Sequence, residues 1–264
     1  MNRRRGLALL SLVCVLSLAQ TATARLLRTG PTPLESWNPL VSLTIGSSVE
    51  YERASDQSQY EFPFFIEYNL TPALKAILEP SVVYLEPKKG NGRNVSGLGD
   101  SETALEYEFM RERRYRPALT AEGVVRWPTA TNSDLGEAGR DYSIGLIASK
   151  DLVFVDLDLR FLYTFLADRQ SQDVLEISLA AQWHLNYRVD LEAEVVHSFA
   201  GGTSPSSSLT SGGVISLANA DVTEGTVGLA WHVSKRLKLE HGAVFSSDGT
   251  WRLVLAWEFG FGGD

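Results

Sequence analysis

The chain has 264 residues, of which 24 are basic and 32 are acidic, so its formal net charge is -8. An acidic balance of this size argues against binding to nucleic acid, and against binding to anionic lipid through overall charge. The one cysteine, Cys14, lies in a predicted signal segment, which leaves the rest of the chain without disulfides or thiolate metal ligands.

The N-terminus has the organisation of a secretory signal. Three arginines at positions 3–5 precede an apolar stretch over residues 7–18, and Ala22-Thr23-Ala24 has the A-x-A form of a cleavage site. We therefore expect residues 1–24 to be a signal peptide that is cleaved after Ala24. A membrane helix or anchor is the alternative, but the apolar stretch is too short for one. Without the signal, 21 basic residues remain against 32 acidic ones.

The remaining chain, about 240 residues, has the size of a single β-barrel domain. Residues 25–36 form a short leader that we expect to be periplasmic, and residues 37–264 form the predicted barrel domain. No later apolar run approaches the roughly 20 residues of a membrane helix. A position in a membrane would therefore require a closed barrel, because open sheet edges cannot face lipid.

From residue 41 onward, apolar and polar residues alternate in one segment after another, which is typical of strands with one dry face and one wet face. Clear segments begin near residues 41, 60, 105, 153, 175, 191, 227, 237 and 250, and weaker ones span 74–85, 117–127 and 140–148. Each is close to the roughly ten residues that a tilted spanning strand requires. The pattern predicts an all-β fold: a closed antiparallel up-and-down transmembrane β-barrel of about 12 strands.

The last segment has the clearest alternation. Its apolar and aromatic row consists of Trp251, Leu253, Leu255, Trp257, Phe259 and Phe261. Aromatic residues at both ends of this row indicate membrane-interface girdles. We expect this strand to pair with the first one, at residues 41–51, and so to leave the sheet without edges. The expected partners are outer-membrane lipid and the barrel-assembly machinery, which recognises a terminal aromatic residue. Here the expected signal, Phe261, is set back from the terminus by Gly262-Gly263-Asp264.

The connections between the segments alternate in length. Short ones lie at 69–72, 111–116, 149–151, 186–188 and 234–236, and longer ones, rich in Gly and Ser, at 88–97, 128–139, 167–173 and 200–220. Transmembrane barrels have short periplasmic turns and longer outer loops. A soluble sandwich has no reason to sort its loops in this way, and a lipocalin-like barrel has eight strands. The pattern predicts that the barrel lies in the outer membrane of a Gram-negative bacterium, with both chain ends in the periplasm.

On this interpretation the polar rows face the lumen and are acidic. The predicted lumen residues are the carboxylates Glu50, Glu67, Glu79, Glu106, Glu108, Glu122, Asp156, Asp158, Glu176, Glu192, Glu194 and Glu258, and the arginines Arg126, Arg160 and Arg252. Acids and bases can pair across strands and plug the lumen. They can instead line a narrow pore, in which surplus acid favours cations or neutral polar solutes over anions. The residues alone leave both interpretations open.

No catalytic, cofactor or metal motif is recognisable, and none is predicted. The four histidines, His184, His197, His232 and His241, lack a metal-binding spacing. A lipid-modifying enzyme would require a serine and a histidine on the lipid-facing side of the barrel. His197 falls on the outward row, whereas the adjacent Ser198 falls on the inward row, so these two cannot form the pair. A serine from another strand, such as Ser246, would have to act with His197 instead.

A series of short motifs carries a family resemblance. Gly97-Leu98-Gly99-Asp100 is followed by Glu106-Tyr107-Glu108-Phe109, Trp127-Pro128-Thr129, a G-R-D-Y-S-I-G-L segment at 139–146 and Ser149-Lys150-Asp151-Leu152. Over residues 97–165 the chain resembles the MetA-pathway of phenol degradation family of outer-membrane β-barrel proteins. Glu106 and Glu108 depart from basic positions of that family, and Ala130 stands where the family has glycine.

The resemblance implies transport of hydrophobic or aromatic compounds, with no catalytic residues to assign. Together with the polar rows, it predicts a passive channel for small molecules rather than an enzyme. The first alternative is a structural or adhesive barrel with a plugged lumen, which would use the loop at 200–220 for contacts. The second is a lipid-modifying enzyme that depends on His197.

Overall fold

The computed structural model of the protein describes residues 43–54, 57–87, 93–136, 139–166, 173–200, 206–208, 216–218 and 221–261. The predicted signal peptide, its cleavage site at Ala24 and the leader at 25–36 lie outside these residues and stay predictions. Within the described parts of the chain, no helix is long and apolar enough to cross a membrane.

The described chain folds into β-strands joined by turns. The strands are β1 (Leu43–Arg53), β2 (Gln57–Thr71), β3 (Leu74–Glu79), β4 (Ser81–Pro87), β5 (Val95–Leu98), β6 (Ser101–Met110), β7 (Ala118–Trp127), β8 (Asp141–Asp151), β9 (Val155–Phe165), β10 (Val174–Asn186), β11 (Val189–Ala200), β12 (Ser206–Ser208), β13 (Ser216–Ala218), β14 (Val222–His232), β15 (Leu237–Ser246) and β16 (Trp251–Phe261).

These strands build a barrel wall of twelve antiparallel strands, which confirms the predicted fold. β3 and β4 both pair with β2 and run end to end across Pro80 as one wall strand. β5 and β6 pair with β4 and β3 and form another, interrupted at Gly99 and Asp100. β12 and β13 form a separate small hairpin inside the predicted long loop at 200–220.

β16 closes the wall. It pairs with β15 on one side and with β1 on the other, in an antiparallel register that runs from Leu43↔Phe261 to Arg53↔Trp251. β1 also pairs with β2, so the wall closes and each wall strand has a neighbour on both sides, except that the β5 segment has β4 as its one strand partner among the described residues. The predicted pairing of the first and last strands is therefore confirmed, with the described part of the first strand spanning residues 43–53.

The alternation of side chains places the apolar rows outside the barrel. In β16, Leu253 and Leu255 are 49% and 62% exposed, whereas Val254 and Ala256 between and after them are 6% and 2% exposed. Other exposed outward side chains are equally apolar, including Ile66, Leu105, Phe109, Ile144, Phe161, Leu179, Val195 and Val227. An apolar band around the outside and polar rows inside are the surfaces of a transmembrane barrel.

The short connections lie at one end of the barrel, as predicted. At the end where β1 begins and β16 finishes, the connections span residues 72–73, 111–117, 152–154, 187–188 and 233–236. We call this the short-turn end and the opposite end the long-loop end. Two connections at the long-loop end, at 54–56 and 247–250, are also short. The short-turn end therefore holds no long loop, but the long-loop end holds both kinds of connection.

One turn lies later than predicted. Residues 149–151 belong to β8. The Ser149 hydroxyl donates a hydrogen bond to Asp158, and Asp151 lies opposite Asp156 in the backbone register of β8 and β9. The turn is the apolar tripeptide at 152–154, which the alternation assigned to the next strand. Val153 has a φ of 75°, a conformation that β-branched residues rarely adopt, so its residue type gave no sign of a turn.

Replacing Leu255 by arginine is expected to destabilise the barrel in phosphatidylcholine vesicles by about 2–4 kcal/mol, because a charge on the outer face would meet hydrocarbon. Urea unfolding, followed by tryptophan fluorescence and by the heat-dependent shift in gel mobility, measures the change. Leu255→Met keeps the volume without the charge, and its expected effect is below about 1.5 kcal/mol. A Leu255→Arg barrel as stable as the parent would contradict the lipid-facing assignment.

Candidate functional site

The side chains that point into the barrel form the candidate site. All fifteen predicted lumen residues lie on the inward rows of their strands. The inward acids outside that set include Glu52, Glu61, Glu102 and Glu240, which the alternation also places inward, and three that sequence reasoning missed, Asp141, Asp190 and Glu224, near the first residue of β8, β11 and β14. Extending the alternation to the ends of these strands would have found them.

Arg160 on β9 is the centre of the first ion-pair cluster. Its Nε and Nη2 atoms each lie 2.9 Å from an oxygen of Glu122 on β7, and its Nη1 lies 3.5 Å from Glu176 on β10. The pair with Glu122 passes over β8 at Gly145, where a Cβ atom would lie 2.8 Å from the carboxylate. A glycine at this position therefore allows a two-pronged contact between strands that are not neighbours.

Arg252 on β16 forms a similar bridge. Its guanidinium lies 3.0 Å from Glu50 on β1 and 3.9 Å from Glu224 on β14, so it links strands on both sides of the closing seam. The seam is thus joined by a charged contact on the inside as well as by the backbone ladder between β1 and β16.

The other inward bases follow the same arrangement. Lys75 Nζ lies 2.9 Å from Glu106 and 3.9 Å from Glu67. Lys238 is paired with Glu240 on its own strand and lies 3.0 Å from Glu258 on β16. Each of these lysines therefore has two carboxylate partners. Arg126 pairs with Asp141 across β7 and β8.

Carboxylates outnumber bases on the inward rows of the described strands. The inward bases there are Lys75, Arg126, Arg160, Lys238 and Arg252, against more than twice as many inward carboxylates. Glu192 and Glu194 on β11 are 2% and 1% exposed, and Glu192 Oε2 has no hydrogen-bond partner. The inward rows of the described strands are therefore acidic in composition.

A histidine–aspartate cluster lies at the short-turn end of the lumen. Asp190 accepts a hydrogen bond from Gln182 at 2.8 Å and lies 2.6 Å from His232 Nε2 and 3.0 Å from His184 Nδ1. The other nitrogen of His184 lies 3.1 Å from Asp156. Within the described residues, no group of three or more His, Cys, Asp or Glu side chains is arranged to hold a metal ion.

At the long-loop end, residues 128–136 fold inward instead of projecting outward; we call them the inward loop. Ala130 N donates a hydrogen bond to Asp100 at 3.1 Å, and Thr131 N donates one to Leu98 O at 3.0 Å. Leu135 is 2% exposed and lies against Gly97, which pairs with the buried Val83. A Cβ atom at Gly97 would lie 2.0 Å from Thr131 Oγ1, so this contact requires glycine.

The inward loop explains two motifs of the family resemblance and corrects one expectation. Gly97-Leu98-Gly99-Asp100 contains the end of β5 and the interruption before β6, and the segment after Trp127-Pro128 packs against it. Residues 128–139 were expected to be one of the longer outer loops. Backbone hydrogen bonds to Leu98 and the buried Leu135 hold its described part inside the mouth of the barrel instead.

The residues considered for lipid chemistry do not come together. His197 points outward, with Nδ1 2.8 Å from Thr223 Oγ1. Ser198 lies on the inward row, as the alternation predicts, and Ser246 continues the inward row of buried Lys238, Glu240 and Val244. Neither serine therefore shares a face with His197, and the described residues give no support to a lipid-modifying enzyme.

Comparison with known proteins identifies the fold. No family model and no curated protein sequence matches the chain. The COG4313 outer membrane channel from Pseudomonas putida F1 superposes with a TM-score of 0.62 and 15% identity, covering 84% of this chain and 96% of that one. The NanC porin matches with a TM-score of 0.59 and 12% identity, over 82% of this chain and 98% of that one.

The KdgM porin, solved in complex with disordered oligogalacturonate, gives a TM-score of 0.52 at 10% identity, over 81% of this chain and 99% of that one. The chain therefore has the barrel fold of outer-membrane channels and porins. At sequence identities of 10–15%, the similarity to these proteins shows a common fold and nothing more specific. Membership of the MetA-pathway of phenol degradation family stays a prediction, since no family model matches.

Replacing Arg160 by methionine is expected to destabilise the barrel by about 3–5 kcal/mol, because Glu122 and Glu176 would stay buried without their shared cation. Urea unfolding in detergent micelles measures the loss. Adding Glu122→Gln and Glu176→Gln to the variant is expected to restore most of the stability. Arg140→Met, at an exposed arginine that lies over the Trp127 ring, is the matched control. A stable single variant would contradict the cluster.

Replacing Asp100 by alanine is expected to loosen the inward loop, because the amide of Ala130 loses its acceptor. A spin label on Ser133→Cys reports the change as a narrower electron paramagnetic resonance spectrum. Asp134→Ala removes an equally acidic but exposed side chain from the loop and is expected to leave the spectrum unchanged. Equal spectra for the Asp100→Ala variant and its parent would show that Asp100 does not hold the loop.

Proposed function

We propose that the protein is a passive channel for small solutes in the outer membrane of a Gram-negative bacterium. The observation that carries the proposal is a closed wall with apolar rows outside and charged rows inside. A barrel of about eight strands is just filled by its own side chains, and twelve strands enclose a wider interior. The channels and porins that share the fold support this interpretation.

The surplus of inward carboxylates favours cations and neutral polar solutes over anions. Each of the four bases Lys75, Arg160, Lys238 and Arg252 has two carboxylate neighbours, which offset its attraction for an anion. Hydrophobic or aromatic solutes, which the family resemblance implies, have less support, because the large aromatic side chains of β9 and β16 point outward. We therefore propose small polar solutes, with cations preferred, as the transported class.

The second candidate is a structural barrel whose lumen is filled. The observation that favours it is the burial of the inward ion pairs: Lys75 is 0% exposed and Glu106 is 3% exposed. The inward loop adds further side chains at the long-loop end. In that case the charged clusters would stiffen the wall rather than select solutes.

Planar-bilayer recordings of the refolded full chain distinguish the two candidates. A channel is expected to show stepwise conductance with potassium preferred over chloride. Replacing Glu108 and Glu194 by glutamine is expected to lower the permeability ratio about two- to threefold, because two lumen carboxylates are removed. Glu86→Gln with Asp248→Asn, two exposed acids at the long-loop end, is the matched control and is expected to leave the ratio unchanged.

An intact barrel without conductance would contradict the channel and support the filled lumen. Folding is verified in each case by the heat-dependent gel shift. An equal loss of selectivity in the control pair would show that the lumen carboxylates do not set the preference.

A further inference from the structure

The turns at the short-turn end have a charge opposite to that of the lumen. Seven basic residues lie in these five connections: Arg111, Arg113, Arg114, Arg116, Arg188, Lys235 and Arg236. All seven are exposed. The acidic residue among the same connections is Glu112, which is paired with Lys150. A chain with a net charge of -8 thus concentrates positive charge at one rim.

The basic turns are neighbours around the barrel. In the order of the wall strands, the basic turns β14–β15 and β10–β11 are adjacent, the uncharged turn β8–β9 follows them, and the basic turn β6–β7 comes next. We call this series the basic arc. The β2–β3 turn, which follows it, consists of the uncharged Pro72 and Ala73. The charge therefore lies on one side of the rim, on both flanks of the apolar β8–β9 turn, and is not spread evenly over the rim.

The basic arc also exposes large apolar and aromatic side chains. Tyr115 and Tyr187 are 86% and 85% exposed, and Phe154 is 76% exposed in the turn between them. The Arg114 guanidinium lies 5.1 Å from the Tyr115 ring centre, and the Arg188 guanidinium lies 5.1 Å from the Tyr187 ring centre. Two arginine–tyrosine turns therefore flank one apolar turn.

Turn formation does not account for this composition. At Val153 the backbone φ of 75° suits glycine or asparagine far better than valine, and the side chain is 76% exposed. Exposed apolar tips beside arginine are instead typical of surfaces in the headgroup region of a membrane, where aromatic rings and cationic side chains are both favoured.

We propose that the basic arc binds the headgroups of anionic phospholipids in the membrane leaflet next to the short-turn end. Arginine and lysine would pair with the lipid phosphates, while Phe154 and the two tyrosines would enter the boundary between headgroups and acyl chains. The site rests on the proposed membrane position of the barrel, but not on a conducting lumen. It differs from the expectation drawn from net charge, because attraction to anionic lipid depends on the charge of the local rim rather than on that of the whole chain.

A lipid fits the shape of the basic arc better than a protein partner does. The arc follows the outer perimeter of the barrel, directly below the apolar rows that end at each turn. Lipid headgroups line the same perimeter. An acidic periplasmic protein is the competing occupant.

Native mass spectrometry of the refolded full chain in detergent micelles tests the proposal. Dioleoylphosphatidylglycerol and dioleoylphosphatidylcholine are added in equal amounts, and the lipids retained on the folded barrel are counted. The parent is expected to retain the anionic lipid preferentially. In the triple variant R114Q/R188Q/K235Q, the ratio of retained anionic lipid to zwitterionic lipid is expected to fall about tenfold. Each basic residue near the membrane surface contributes to the attraction.

The matched control is R53Q/R93Q/R140Q, which removes three exposed basic residues at the long-loop end. It is expected to keep the parent preference within about twofold. A second variant, V153S/F154S, is expected to reduce the retention of both lipids, because it removes apolar contacts rather than charge. The gel shift confirms that each variant is folded.

Equal retention of the two lipids by the parent would overturn the proposal, as would the same loss in both triple variants. Binding of an acidic periplasmic protein to the arc, with no preference for the anionic lipid, would overturn it as well. Planar-bilayer conductance of the same variants keeps the two proposals apart, because a filled lumen abolishes conductance without affecting lipid retention.

Discussion

The structure depends on one constraint: in hydrocarbon, a backbone N–H or C=O group without a partner is too costly to keep. A single sheet meets this constraint when its first and last strands pair, and the ladder between β1 and β16 does so over eleven residue pairs. Closure of the sheet then determines the polarity of its two faces. The outward rows become apolar because they meet lipid, and the inward rows are free to carry charge.

The charged interior follows from closure but has its own requirement, since buried charges must be paired. Arg160 and Arg252 are paired with carboxylates beyond the neighbouring strand. Arg160 passes over β8 at Gly145 to reach Glu122, and Arg252 on β16 contacts Glu50 on β1 and Glu224 on β14. Such bridges stiffen the wall and, at the same time, cancel much of the positive charge in the lumen. Stability and the proposed preference for cations therefore have a common origin in these clusters.

The sequence predicted the features that have a period and missed those that depend on distant contacts. Strand number, closure and the inward position of all fifteen lumen residues follow from alternation with a period of two. The inward loop could not be predicted, because its contact with Leu98 joins residues 33 positions apart. The turn at 152–154 was misplaced because Val153 adopts a backbone conformation that its residue type disfavours. The ion-pair partner Glu122 was placed on the correct face, but its distance from Arg160 depends on the sheet geometry.

Cross-linking of the closing seam tests the central claim most directly. Ser48 and Ala256 are directly opposite each other in the β1–β16 register, and the chain has no other cysteine beyond Cys14 in the predicted signal. In the membrane-inserted protein, S48C/A256C is expected to form a disulfide that changes gel mobility, because paired positions bring Cβ atoms within about 5.5 Å. S48C/L253C, which is out of register, is expected to stay reduced. A folded barrel in which the out-of-register pair cross-links and the registered pair does not would contradict closure by these two strands.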